Sequence, residues 1–247
     1  MQKNTLSRVT SVVLLFSVLV NTVAFAELHV LTYEFSKDVK MSEDECYIEV
    51  PFHYQDNNYY CGPATIEMIF DFYGEDIPQS EISDVARTVP YVTYTDEMRR
   101  GGHFSNFSTS SGDEMQSNIT GYSIRKLGYG AFEYGGVTIS QLKSLIDDGY
   151  PIIVLMWFSS AKVYSHYRVV VGYNETHIIT YDPWNKEAWG GTYGGPNTTM
   201  PESTFLDLWD YSGNWSLLTC PWEVSLTIPH IAELGNTFTV TANVTYA

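Results

Sequence analysis

Three strand-length runs stand close together and commit this chain to a sheet: PIIVLMW at 151–157, HYRVVVGY at 166–173 and HIITYD at 177–182. The first is apolar without a break, as in a central strand covered on both faces. The second and third are joined by a tight turn at Asn174-Glu175, which predicts an antiparallel pair. Pairing centred on residue 174, as a loop with an odd number of residues produces, sets His166 directly opposite Asp182. Residues so placed share a face with their Cβ atoms about 4.5–5.5 Å apart. A loop of even length spoils that register, because a slip of one residue sends every side chain to the other face.

Upstream, Ile66, Ile69, Phe70 and Tyr73 follow the i, i+3, i+4, i+7 spacing of an amphipathic helix. Pro63 near its start and Gly74 beyond its end are the expected punctuation. The helix therefore begins at or beside Cys61. Unpaired amides and the helix dipole at that end stabilise a thiolate. Gln55 stands six residues earlier in a polar stretch, QDNNYY, that can bring its amide back beside the sulfur. With the Cys61 backbone N–H it would then form an oxyanion hole. A cysteine nucleophile needs a base that also protonates the leaving amine, and His166 fits; Asp182 would hold the imidazole tautomer. Taken singly, Cys61 reads as a small buried hydrophobe and His166 with Asp182 as a surface ion pair, whereas the joint pattern favours chemistry.

Residues 81–87, 117–127, 138–148 and 202–209 are expected to be helical, and 215–219 a strand. Residues 89–118 lack a period and read as a long surface excursion. Glycine pairs at Gly101, Gly135, Gly190 and Gly194 read as loop elements, with self-processing at one of them the alternative. Tyr54, Tyr59, Tyr60, Trp157, Trp184 and Trp189 either pack in the core or line a peptide cleft. The acidic pairs at Asp96, Asp113 and Asp147 lack calcium-loop spacing, and the histidines lack metal-ligand spacing.

Lys3 and Arg8 precede an apolar run that ends at Ala24-Phe25-Ala26, so residues 1–26 read as a secretory signal peptide, with an uncleaved anchor as the alternative. Residues 27–49 form an N-terminal arm, 50–220 the main domain and 221–247 a β-rich tail. That tail is either a terminal hairpin or the opening of a truncated immunoglobulin-like domain. Thirteen basic against 29 acidic residues give a net charge of −16, which excludes nucleic-acid binding. Six sequons, at Asn106, Asn118, Asn174, Asn197, Asn214 and Asn243, exceed chance and point to a glycosylated, exported, cell-surface or secreted prokaryotic protein of archaeal type. A cleaved signal peptide implies no stable membrane insertion. Of the three cysteines, Cys46 and Cys220 flank the domain and can pair in an oxidising compartment, leaving Cys61 free. The rival pairing, Cys46 with Cys61, would destroy the nucleophile.

The blocks PFHYQ at 51–55, YCGPA at 60–64 and GYPIIV at 149–154, then 166–173 and Asp182-Pro183, resemble the papain-like cysteine peptidases that process bacteriocins at double-glycine leaders, and in particular their stand-alone secreted relatives. The resemblance covers about residues 50–220. It implies an α+β papain-like fold, Cys61 as nucleophile on the central helix, Gln55 in the oxyanion hole, His166 as base, Asp182 as orienter, a peptide or protein substrate, and no cofactor or metal. The excursion around 93–117 is longer than the usual connection, and no transporter segment follows, so neither specificity nor leader cleavage during export is implied. Two other readings remain: a noncatalytic module binding peptide or envelope polymer in the same cleft, and an acyltransferase or transpeptidase with the same triad.

Overall fold

The computed structural model describes residues 10–12, 39–41, 45–104, 128–227 and 241–246. The helix expected at 117–127, most of the expected signal segment, and Asn106 and Asn118 lie outside them.

The chain divides into two units. The larger, Ser36–Pro221, contains strands β2 (Val39–Met41), β3 (Cys46–Ile48), β4 (Gly128–Tyr134), β5 (Ile152–Trp157), β6 (Ser165–Tyr173), β7 (His177–Asp182) and β8 (Gly195–Pro201), and the first part of β9 (Ser216–Thr227). Its helices are α1 (Cys61–Phe72), α2 (Gln79–Ala86), α3 (Thr95–Gly102), α4 (Ile139–Asp147), α5 (Lys186–Trp189) and α6 (Glu202–Trp209). In the smaller unit β1 (Thr10–Val12) and residues 222–227 of β9 flank β10 (Thr241–Tyr246), with Val224 opposite Val244 and Leu226 opposite Ala242. The alternating tail thus forms an antiparallel pair.

The sheet of the larger unit runs β4-β9-β5-β6-β7-β8. The pairs β9–β5, β5–β6, β6–β7 and β7–β8 are all antiparallel. The β2–β3 hairpin, drawn from the expected N-terminal arm, occupies the edge of β6 beyond the end of β5, pairing Cys46 with Tyr173 and Tyr47 with Gly172. Only glycine fits at 172, because a Cβ there would lie 2.5 Å from the Cys46 carbonyl oxygen. The run at 152–154 is fully buried, as expected of a central strand.

Helix α1 packs on β6 and is covered by α2 and α3. Residues 62–70 are therefore all buried, and the amphipathic stripe seen in the sequence marks only one of two covered faces. Phe70 meets Tyr129 at 4.2 Å and Phe104 at 5.7 Å between ring centroids. The excursion expected at 89–118 is in part helix, since α3 occupies 95–102 with a capping box from Glu97. Its glycines are not loop elements. A Cβ on Gly101 would press on Ile66 and Ala86 at 3.1 and 3.2 Å, and one on Gly102 on Ala131 at 3.1 Å, so the pair lets α3 sit close to its neighbours. Strands β4 and β8 were not anticipated from the sequence pattern. Helix α4 lies within the expected 138–148 and is capped by Thr138 with Gln141 in reply, and α6 covers 202–209 as expected.

Among the expected sequon asparagines, Asn197 is exposed while Asn174 and Asn214 are half-buried. Asn214 Nδ2, the atom a glycan would occupy, donates to the Val137 carbonyl at 3.0 Å.

Candidate active site

The α1 helix begins at Cys61, with Tyr60 as its N-cap and no side-chain cap. The turn before it is set by Asn57, whose side-chain oxygen accepts from the Tyr59 N–H at 3.1 Å and whose carbonyl accepts from Tyr60 at 3.3 Å. Pro63 falls within the first turn, where its missing N–H costs no hydrogen bond. Gly62 has no room for a side chain, because a Cβ would stand 2.5 Å from the Met98 sulfur. Thus α3, a helix missing from the sequence expectation, packs directly beside the thiol-bearing residue.

On the sheet side, His166 Nε2 donates to Asp182 Oδ1 at 2.7 Å, and both residues are buried. The expected register does not hold. The hairpin turns through two residues, Glu175 and Thr176, with Asn174 N–H bonded to the His177 carbonyl at 2.9 Å. A two-residue turn alone would put Asp182 on the face opposite His166. A β-bulge between Val170 and Gly172 adds one residue to β6 and restores the parity, so that Val169 pairs with Tyr181 and Val170 with Thr180. Continuing that register puts Asp182 across from Arg168, and His166 reaches the carboxylate diagonally, two residues along.

Arg168, which the sequence reading passed over, completes the group. Its Nε donates to Asp182 Oδ2 at 2.8 Å, and its terminal nitrogens donate to the Phe158 carbonyl at 2.8 Å and the Trp157 carbonyl at 3.3 Å. The Trp184 N–H also donates to Asp182 Oδ1 at 3.0 Å. The signal for Arg168 was present: a cation inside an otherwise apolar strand, two residues from His166, must find a buried anion.

Charge follows from these contacts. Burial alone would raise the Asp182 carboxyl, yet Arg168 and then His166 hold it well below the usual carboxylate range. Burial likewise opposes a charged imidazole, but Asp182 and the Cys61 thiol together raise His166 above 6.5. For Cys61, burial pushes the thiol up; hydrogen bonding and charge from His166, with backbone hydrogen bonds from Tyr167 and Gly62, outweigh it and bring the pKa below 9.0. A lowered thiol beside a raised imidazole favours the thiolate–imidazolium pair. Because Nε2 faces Asp182, Nδ1 is the ring nitrogen left for sulfur and substrate.

Gln55 is 2% exposed. Its Nε2 donates one hydrogen to the Asn57 carbonyl at 2.7 Å and keeps a second, while its backbone N–H bonds the Pro183 carbonyl at 2.8 Å. Gln55 Oε1 is buried with no hydrogen-bond partner. Of the aromatics singled out in the sequence, Trp184 and Trp189 meet at a tilt with ring centroids 5.2 Å apart, and Trp184 stands 6.5 Å from the His166 ring. Phe158, not singled out, meets His166 edge-on at 4.8 Å. Tyr59 and Tyr60 pair at the head of α1, Tyr54 packs on Phe52, and Trp157 packs on Tyr211.

The expected Cys46–Cys220 disulfide is not formed. Cys46 instead donates to the Ile146 carbonyl at 3.7 Å, and burial, with Asp147 nearby, pushes its thiol up to about 11. Among the described residues no cluster of His, Cys, Asp and Glu can hold a metal, and no helix is long and apolar enough to cross a membrane.

Residues 47–217 match the Peptidase_C39 like family, which spans well over half of the chain and contains all four candidate residues. Solved structures to which the chain is similar include the peptidase domain of Streptococcus ComA, described as a bi-functional ABC transporter involved in a quorum-sensing pathway. It is 17% identical over 68% of this chain and 96% of that one, with a TM-score of 0.48. A double-glycine-motif protease from an AMS/PCAT transporter, solved with its leader peptide, is 15% identical over 70% of this chain and 92% of that one, with a TM-score of 0.47. No curated protein sequence matches the chain.

Proposed function

This chain belongs to the C39-like peptidase family, and from that premise we propose that it is an exported cysteine peptidase working through Cys61, His166 and Asp182. The observation that carries the reading is the coupling of a lowered thiol at a helix N-terminus to a raised imidazole held by a buried carboxylate.

In this mechanism the Cys61 thiolate attacks the scissile carbonyl carbon. The oxygen takes the electron pair and is stabilised by the Cys61 backbone N–H and the second Nε2 hydrogen of Gln55. His166 delivers its Nδ1 proton to the amide nitrogen, the C–N bond breaks, and an amine leaves behind a thioester. His166, now neutral, takes a proton from water; the hydroxide adds to the thioester, and collapse releases the acid and returns the thiolate. Asp182 keeps Nε2 protonated throughout, so that Nδ1 is the nitrogen that cycles. The apolar run and small-x-small site ending at Ala26 support export, and the sequons support glycosylation, most readily at exposed Asn197.

The test is the rate of iodoacetamide modification of Cys61 from about pH 4 to about pH 9, beside His166→Ala. The expected result is an apparent thiol pKa well below that of a free cysteine, rising in the variant. Cys61→Ala should fold normally and lack peptidase activity. A Cys61 that titrates as an ordinary thiol would instead favour a noncatalytic peptide-binding module.

A further inference from the structure

We propose that Gln79 is a positioning residue for the oxyanion site: its carboxamide grips the backbone on both sides of Gln55 and ties that segment to the helix that carries Cys61. The proposal rests on the reading of Gln55 above and asks what sets the distance between the two donors of the site.

Gln79 opens α2 and is 2% exposed. Its Oε1 accepts from the Asp56 N–H at 2.9 Å, and its Nε2 donates to the Tyr54 carbonyl at 2.8 Å. In extended chain, the carbonyl before a residue and the N–H after it point to one edge, while that residue's own N–H points to the other. The Gln79 amide therefore bonds as a one-residue strand along one edge of Gln55, and the Pro183 carbonyl accepts the Gln55 N–H on the other. The orientation is unambiguous, because a flipped amide would set carbonyl against carbonyl and N–H against N–H.

The second Nε2 hydrogen goes to Glu67 Oε2 at 2.7 Å. Glu67 lies on α1, and His53 stands 3.8 Å from the same oxygen while bonding Asp71, also on α1, at 2.9 Å. One carboxamide thus joins the segment 54–56 to the body of the nucleophile helix. The Cys61 N–H is fixed by the start of α1, and Gln55 belongs to an irregular segment with no ladder of its own. Without Gln79, the Tyr54 carbonyl and the Asp56 N–H lose their shared side-chain partner, and the spacing between the two donors is no longer set.

Two probes separate this role from simple packing. Iodoacetamide alkylates Cys61 by displacing iodide at a saturated carbon, with no oxyanion. p-Nitrophenyl acetate acylates it through a tetrahedral oxyanion: the S–C bond forms, the C–O bond breaks, and p-nitrophenolate leaves. In the full chain, Gln79→Met should slow acylation about tenfold or more while alkylation stays within about twofold. In a Gln55→Ala background the same change should add no more than about twofold, because Gln79 acts through Gln55. Gln79→Asn, one methylene too short to span both backbone groups, should behave like Gln79→Met and serves if the latter does not fold. The Asp56 amide of the wild type should exchange hydrogen slowly; fast exchange there overturns the clamp without any variant. Equal acylation of wild type and Gln79→Met overturns it alone, as does a full tenfold loss in the Gln55→Ala background. A wild-type Cys61 that alkylates fast but resists acylation overturns the oxyanion site and the clamp together. Slow alkylation like that of a free thiol overturns the peptidase reading itself.

Discussion

Two buried carboxylates belong to the elements that build the candidate site, Asp182 on the sheet and Glu67 on the helix, and their carboxyl groups are shifted in opposite directions. On the sheet side, Asp182 has a guanidinium on one oxygen and an imidazole on the other, and its carboxyl is held far down. On the helix side, Glu67 is 8% exposed and meets a neutral amide, with His53 more distant, so burial wins and its carboxyl is raised. Burial acts the same way on both; the charge of the partner decides the sign. The sheet side thus holds fixed charge next to the reacting imidazole, while the helix side holds a carboxyl bound by a neutral amide within a hydrogen-bonded scaffold.

Removing the cation that makes the difference is the strongest way to break this contrast. Arg168→Met should cost about 3–5 kcal/mol in urea unfolding, since it leaves a buried carboxylate without its main partner. A loss below about 1 kcal/mol would mean that Asp182 does not depend on Arg168.

The imidazole and its orienter should separate next. His166→Ala is expected to slow acylation by about 10²–10⁴, and Asp182→Asn by less, because Arg168 and the Phe158 ring still hold the site. Equal losses would erase the distinction between base and orienter.

The pH dependence of stability sharpens the comparison further. Asp182 has a folded pKa below its unfolded value of 3.8, so its contribution is present above that value and lost as pH falls through the folded one. Glu67 has a folded pKa above 4.5, so the fold favours its neutral form, and stability declines as pH rises through that raised value. Unfolding followed from about pH 2 to about pH 8 should lose the acid limb in Asp182→Asn and the opposite slope in Glu67→Gln. Because ionising Glu67 is disfavoured by burial, Glu67→Gln should be no less stable than wild type above the raised value, and a marked loss there would mean that its partners favour the carboxylate over the neutral amide. The smallest effect belongs to Cys46→Ala. With its thiol pushed up to about 11, Cys46 should not compete for iodoacetamide at neutral pH, so the substitution leaves the alkylation profile unchanged and costs about 1 kcal/mol of stability.

The parts of the site legible in the sequence are those set by local chemistry. Cys61 at the head of α1 follows from apolar spacing and the Pro63 and Gly74 punctuation. Helix α3 was hidden because it is short and ends in Gly101-Gly102, which have poor helical propensity; its stability comes from close packing that only the folded neighbours supply. Strand β8 was hidden because its sequence, GPNTTMP, is polar with prolines at second and last positions, as an edge strand permits.

His166 and Asp182 were paired in the sequence for a reason that proved incomplete. Their shared face was right, but the odd loop assumed for it is absent, and a bulge in β6 restores what the two-residue turn would have undone.

By itself, then, the sequence determined the elements whose apolar period and end signals are local: the buried helix that begins at Cys61, the strand run at 151–157, and the hairpin that brings an imidazole and a carboxylate to neighbouring strands. Only the tertiary structure decided the bulge, the Arg168–Asp182 ion pair and the Gln79 grip on residues 54 and 56. Each of these matches a buried polar group to a partner 14 to 25 residues away in sequence or adjusts a register between strands. The free energy of leaving such a group without a partner is what selects the arrangement, and it exists only once the surrounding core has excluded water.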